Sequence, residues 1–288
     1  MGPFTISQLI LSEIKLDSRP SPIKDLATKI IIEQRWETKK EIAMEHAEKW
    51  ESKIISNLRI EINKLLSMGR PPRIAFNSSS EYMVQGACFV EPVDSIEIRE
   101  RKNRRAQSDL YYDIFNYINP KQFEKLCGKL IGLIGVEEPH ITRSVSDDGI
   151  DFYGYLSLGS IFFPKDLTPT IQKQLTIWLI GQAKHYKISQ SGTQEIRDLA
   201  GAVMLGRSQV FGSSESPFPY LKTRVGDPVF SMLITTGTLS ANAWKLLQQS
   251  GIIGMDGEMV AAFLADRSAA QLDEGNFDRG SFFKWIEE

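Results

Sequence analysis

The chain has 288 residues, 42% hydrophobic and 24% charged, which is enough apolar content for real cores and more length than one minimal domain needs. Its formal net charge of -2 does not advertise a nucleic-acid binder, although an average over the whole chain can hide a local basic groove. Cys88 and Cys127 are far apart without metal-type spacing, which excludes a disulfide framework or a zinc site as an expectation. The N-terminus lacks a basic region followed by a continuous apolar run, and no segment is apolar for long enough to span a bilayer, so neither export nor membrane insertion is expected and the cytoplasm is the expected compartment.

In chain order, the first expected element is a helix over "SPIKDLATKIIIEQ", with Ser21 as N-cap and Pro22 at the first helical position. A long charged helix follows. It carries Ile42, Trp50, Ile54, Leu58, Ile62 and Leu65 at helical spacing, the pattern of one buried face, and ends at Gly69 and the following "RPP". Two short apolar runs around Asn77 to Ser80 read as a β-hairpin. Helices followed by a hairpin fit either a winged helix or a generic helical domain with a capping hairpin; a domain of residues 1–112 that binds DNA or a partner is expected. The densest basic stretch, Glu97 to Gln107, reads as a connector. Its Arg101, Lys102, Arg104 and Arg105 are either a solvated face or contacts to DNA phosphates.

From Asn119 the pattern alternates between helix and strand. A helix with Phe123, Leu126, Cys127, Leu130, Ile131 and Ile134 on its apolar face ends at Gly135. A hairpin turning at Asp147 to Gly149 comes next, then the buried strand "LTIWLIGQAKHYK", and then alternating helices and strands to about residue 270. This order describes an α/β domain over residues 113–270, a mixed sheet flanked by helices. Residues 206–227 read as a surface insertion, and 271–288 as a tail whose aromatic residues dock on the domain or on a partner. His46 and His140 read as ordinary histidines of a helix or loop, since neither has a partner set for nucleophilic catalysis.

The strand "IWLIGQAKHY" raises a chemical question, because Gln182 and Lys184 interrupt an apolar run that should continue. Buried polar groups without partners are costly, so these either find partners or do work. In a strand they share a face while Ala183 points away. Asp151 opens the second strand of the preceding hairpin and reaches Gln182 if the strands pair, and Glu124 can aim a second carboxylate inward from the helix. Two carboxylates, an amide oxygen and an ammonium suit a magnesium ion, which takes one or two protein carboxylates and keeps several waters. Such a metal polarises a phosphodiester and activates water, with Lys184 stabilising developing charge.

With these residues in place, the segments "FEKLCGKLIGLIG", "SDDGID", "IWLIGQAKHYK", "IRDLAGAV", "LITTGTLSANAW" and "GMDGEMVAAFL", in that order, resemble the Mrr-type restriction endonuclease domain. This is a branch of the PD-(D/E)XK nuclease superfamily, and the resemblance covers about residues 119–265. It implies a restriction-endonuclease-like fold with Glu124, Asp151 and Gln182 as metal ligands, the Ala183 carbonyl as an additional one, and Lys184 positioning the attacking water. A Gln-x-Lys pair here replaces the usual acidic residue-x-Lys. It also implies Mg2+ as cofactor with Mn2+ able to substitute, double-stranded DNA as substrate, modified DNA as trigger, and a role in prokaryotic defence. A homodimer or higher oligomer is expected because cutting both strands takes two sites. His185 and Lys187, after the strand, are candidate DNA contacts. The stretches 159–174 and 206–227 are longer than the family pattern, which bears on substrate choice more than on the catalytic set. Two other readings stay open: a nuclease effector switched on by a defence partner, and a catalytically idle assembly subunit. RNA remains an alternative substrate, since the chemistry at phosphorus is shared.

Overall fold

The computed structural model of the chain describes residues 2–142, 149–157, 175–186, 190–208, 218–270 and 277–288. Lys187, the Asp147–Asp148 turn and the stretch 159–174 lie outside the described residues. Two compact units divide the chain, residues 1–108 and 109–288.

In the first unit the order is α1 (Pro3–Glu13), β1 (Ser21–Pro22), α2 (Ile23–Glu33), α3 (Lys40–Ser67), β2 (Ile74–Asn77), β3 (Ser80–Gly86) and α4 (Ile96–Arg105). The strands form an antiparallel sheet in the order β1-β3-β2, and Ile6, Ile10, Ile23, Ile30, Ile31, Ile54, Leu58, Ile74 and Val84 make one core from α1, α2, α3 and the hairpin. The expected hairpin and long helix are present. Ser21 is not an N-cap, however: it pairs with Val84 in β1, and Pro22 caps α2 without a side-chain bond. The buried face of α3 begins at Ala43 and Ala47, with Ile42 and Trp50 only half-buried, because alanines let neighbouring helices approach closely. α4 replaces the expected connector. Ser95 caps it by accepting from the Ile98 amide, Glu97 lies in its first turn, and Lys102, Arg104 and Arg105 lie in its last, an arrangement that complements the helix dipole.

The second unit begins within α5 (Ser108–Ile114) and continues α6 (Pro120–Ile134), β4 (Glu137–Ile141), β5 (Phe152–Ser157), β6 (Thr176–Lys184), β7 (Gln190–Ser191) and α7 (Gln194–Arg207). It closes with β8 (Val229–Thr235), β9 (Thr238–Leu239), α8 (Ala241–Ser250), β10 (Ile253–Met255), α9 (Gly257–Asp266) and α10 (Arg279–Glu287). Five strands form a mixed sheet in the order β10-β8-β6-β5-β4, antiparallel from β4 to β6 and parallel from β6 through β8 to β10. Helices flank it, so this is the α/β architecture expected. One face packs against Phe123, Leu126, Cys127 and Leu130 of α6 and Val260 and Leu264 of α9. The C-terminal segment is part of this core: Phe282 and Ile286 of α10 are fully buried, and Phe282 meets the ring of Tyr111. The described part of the expected surface insertion also packs inward, with Phe218 and Leu221 both buried.

Candidate active site

The site is built where β5 and β6 separate. Their ladder runs from Ser157↔Thr176 to Phe152↔Gly181 and then ends. Gly181 is required at that last rung, because a Cβ there would lie 2.0 Å from Cζ of Phe152. One residue further, the Asp151 amide still donates to the Gly181 carbonyl at 2.9 Å. The Ala183 amide, which a continuing strand would have bonded through its backbone, donates instead to Asp151 Oδ2 at 2.7 Å. β6 meanwhile stays paired with β8 as far as Lys184↔Thr235, so the strand carrying Gln182 and Lys184 remains rigid after β5 has left it. Thr236 holds its end, accepting from the Tyr186 amide at 2.9 Å and donating to the Tyr186 carbonyl at 3.0 Å.

Along β6, Leu179 and Ala183 pack on the core that contains α6, and alternation sets Gln182 and Lys184 on the other face. Gln182 is 5% exposed and its Oε1 is buried with no hydrogen-bond partner among the described residues. Native structures rarely leave such an atom unpaired, so a buried orphan oxygen calls for an explanation. The turn leading to Asp151 folds tightly over this amide: Gly149 has φ +72°, and a Cβ on it would lie 3.7 Å from Gln182 Nε2 and 3.0 Å from Cβ of Ala202 in α7. Glycine there takes the left-handed backbone and leaves room for Ala202, while the Gln182 amide lies at ordinary contact distance.

Glu124 comes from α6, whose start is fixed by a capping box between Asn119 and Gln122 and by Pro120 at the first position. It is half-buried. Burial pushes its carboxyl above the usual range, the Asp151 carboxylate pushes it further, and Lys121 opposes both. Cys127, fully buried one turn on, is raised well above the ordinary thiol value by burial, then by Asp151, then by Glu124. The Asp151 carboxylate thus acts on both Glu124 and the Cys127 thiol, and Glu124 acts on the thiol as well. Among the described residues, no group of three or more His, Cys, Asp or Glu side chains is arranged to hold a metal.

The remaining candidates are placed differently. His185 turns its Nε2 to the Phe115 carbonyl at 3.1 Å and its ring toward Phe123, so it is engaged inside the unit. Lys102 donates to the Phe89 carbonyl at 2.9 Å and pairs with Asp94 at 2.8 Å, with 20% of its side chain exposed. Arg101 is exposed, while Arg104 and Arg105 are half-buried; all four basic residues belong to the first unit. Sequence reading missed the aromatic cluster of His140, Tyr153, Phe218 and Tyr220 on the sheet face of Gln182, because Phe218 and Tyr220 reach it from a distant segment without periodicity.

No family model matches this sequence, and no curated protein matches it. Among solved structures, it is similar to MspJI restriction endonuclease in complex with a 27-mer oligonucleotide at 17% identity and a TM-score of 0.40, over 69% of this chain and 40% of that one. The DNA modification-dependent restriction endonuclease AspBHI is similar at 16% identity and a TM-score of 0.38, over 73% of this chain and 46% of that one. Restriction endonuclease FokI bound to DNA is similar at 12% identity and a TM-score of 0.33, over 94% of this chain and 46% of that one. The chain spans less than half of the length of each.

Proposed function

We propose that this chain is a metal-dependent endonuclease of Mrr type that hydrolyses phosphodiester bonds in DNA, with its active site at the diverging ends of β5 and β6. One observation carries the reading: Gln182 has a buried Oε1 with no hydrogen-bond partner among the described residues, on the strand whose next residue, Ala183, fixes Asp151 Oδ2 through its amide, with Lys184 one residue further along. Asp151, Gln182 and Glu124 would hold Mg2+, or Mn2+ in its place, and the metal when bound supplies Lewis-acid charge at phosphorus. The Ala183 amide keeps the Asp151 carboxylate oriented. Lys184 holds the attacking water and stabilises charge as the water oxygen bonds to phosphorus and the bond to the leaving oxygen breaks. In the first unit, four helices with a three-stranded hairpin sheet support a winged-helix reading and a role in selecting DNA. Defence against foreign, modified DNA is the role that the sequence resemblance implies.

The test is cleavage of unmodified and methylated supercoiled plasmid with Mg2+ or EDTA. Wild type should cut only with metal, and Lys184→Ala and Asp151→Ala should each lose about 10²–10³-fold in rate, the order found for removing one preorganised charge-stabilising group. Their circular dichroism should match wild type. Cutting by Lys184→Ala at the wild-type rate would remove this site from the reaction.

A further inference from the structure

On the sheet face that carries Gln182 stands a column of aromatic rings that no step above uses. Its base is Tyr153, 2% exposed, whose cross-strand partner Ile180 lies two residues before Gln182 on β6. Tyr153 packs edge-on against Phe218 at 5.9 Å between ring centroids and meets His140 of β4 at 5.3 Å. His140 in turn stacks on Tyr220, at 4.4 Å and 9° between planes. The Tyr220 main chain bonds to the Tyr153 hydroxyl, and the stack on His140 sets the orientation of the Tyr220 ring. Tyr220 is nevertheless 59% exposed.

A pinned ring with an open face costs little entropy to use, because its orientation is fixed before anything binds. Diagonal neighbours across an antiparallel pair lie roughly 7–8 Å apart, which sets the foot of the column one such step from Gln182. A strand running from a phosphate at Asp151 and Gln182 along this sheet face would bring its adjoining nucleotides to the column. The charge nearby selects which part of a nucleotide fits. Glu137 and Glu138 lie on β4 beside His140 and disfavour a phosphate, whereas an aromatic face accepts any base through stacking. A base inside a paired duplex has both faces covered, so only an unpaired one can use the ring.

We propose that the exposed face of Tyr220 is a stacking platform for an unpaired nucleobase on the DNA strand flanking the cleaved phosphodiester. This rests on the nuclease reading and adds a specificity-determining residue to it. The His140–Tyr220 stack sets the platform's height above the sheet, and Phe218 keeps Tyr153 from tilting beneath it.

The experiment uses the full chain with Lys184→Ala to prevent cleavage, in saturating Mg2+, and fluorescein-labelled duplexes that are either fully paired or carry one unpaired nucleotide. Anisotropy should show tighter binding to the duplex with the unpaired nucleotide. Tyr220→Leu, which keeps apolar packing without a π-face, should weaken that binding about tenfold and remove the preference, as expected for loss of one base–aromatic stack. Tyr220→Trp should keep the affinity and show indole emission quenched by the DNA beyond any change in the parent protein. Unchanged affinity and preference in Tyr220→Leu, or no added quenching in Tyr220→Trp, overturns the platform while leaving the nuclease reading intact. Failure of the parent protein to bind either duplex overturns DNA as the substrate, and the platform with it.

Discussion

Gln182 and Asp227 are both buried polar side chains of the second unit, and their partners separate structure from chemistry. Asp227, 6% exposed, is satisfied on both oxygens: Oδ1 accepts from Arg224 Nε at 2.8 Å, and Oδ2 from the Arg224 amide at 2.9 Å and the Trp178 indole at 3.3 Å. It closes the turn that leads into β8. Gln182, held on β6 beside β8, has an oxygen with nothing to accept from among the described residues. The Arg224 guanidinium holds the Asp227 carboxyl below its usual range, against the opposing effect of burial. For an acid lowered in the folded state, the stabilisation is present above the unfolded-state value and is lost as pH falls through the depressed folded value. Asp227→Asn should therefore cost about 1–2 kcal/mol near neutral pH, discounted for the exposed arginine, and the difference from wild type should shrink below about pH 4. Urea midpoints measured across pH check this, and a difference that grows toward acid would assign the turn's stability to something other than the carboxylate.

At the scale of elements, legibility in the sequence followed how local the stabilising forces are. α6 and β6 were readable because a full apolar face and a capping box, or a run of apolar residues, mark them within their own windows. The polar break in β6 was readable for the same reason, and with it Gln182 and Lys184. α1 and β1 were not read, since α1 has no side-chain cap, no acid in its first turn and no base in its last to mark its ends, and a two-residue strand exists only because β3 is there to pair with it. α4 hid behind its charge, having no buried residue to create a periodicity. Its basic residues then divide by environment, which the charge run alone could not show. Lys102 binds Asp94 and the Phe89 carbonyl, so Lys102→Ala should lower the stability of the first unit by about 1–3 kcal/mol. Arg101 is exposed, so Arg101→Ala should leave stability within about 0.5 kcal/mol and, if this helix meets DNA phosphates, reduce the slope of log affinity against log salt by about 1. Urea denaturation and salt titration of DNA binding read these separately. Wild-type stability in Lys102→Ala would return that residue to the pool of candidate phosphate contacts.

Across the whole molecule, two cores that share no residue serve two units of opposite charge balance, the first with more lysine and arginine than acid and the second with the reverse. An acid-rich unit favours a cation at its carboxylate pair and repels a polyanion until that charge is neutralised, so metal and DNA should act in sequence, with the metal first. A ligand that binds only folded protein stabilises the unit that holds it, by about 2.7 kcal/mol at a hundred times its dissociation constant. Saturating Mg2+ or Mn2+ should thus raise the melting of the second unit, followed by Trp178, Trp244 and Trp285, and leave the first, followed by Trp36 and Trp50, where it was. Asp151→Ala should abolish the shift, and Glu124→Gln should reduce it. Calorimetry with single-unit tryptophan variants assigns each transition to its unit. A metal shift in the first unit would place the cation away from Asp151, and no shift at all would leave the Gln182 oxygen waiting for a partner other than metal.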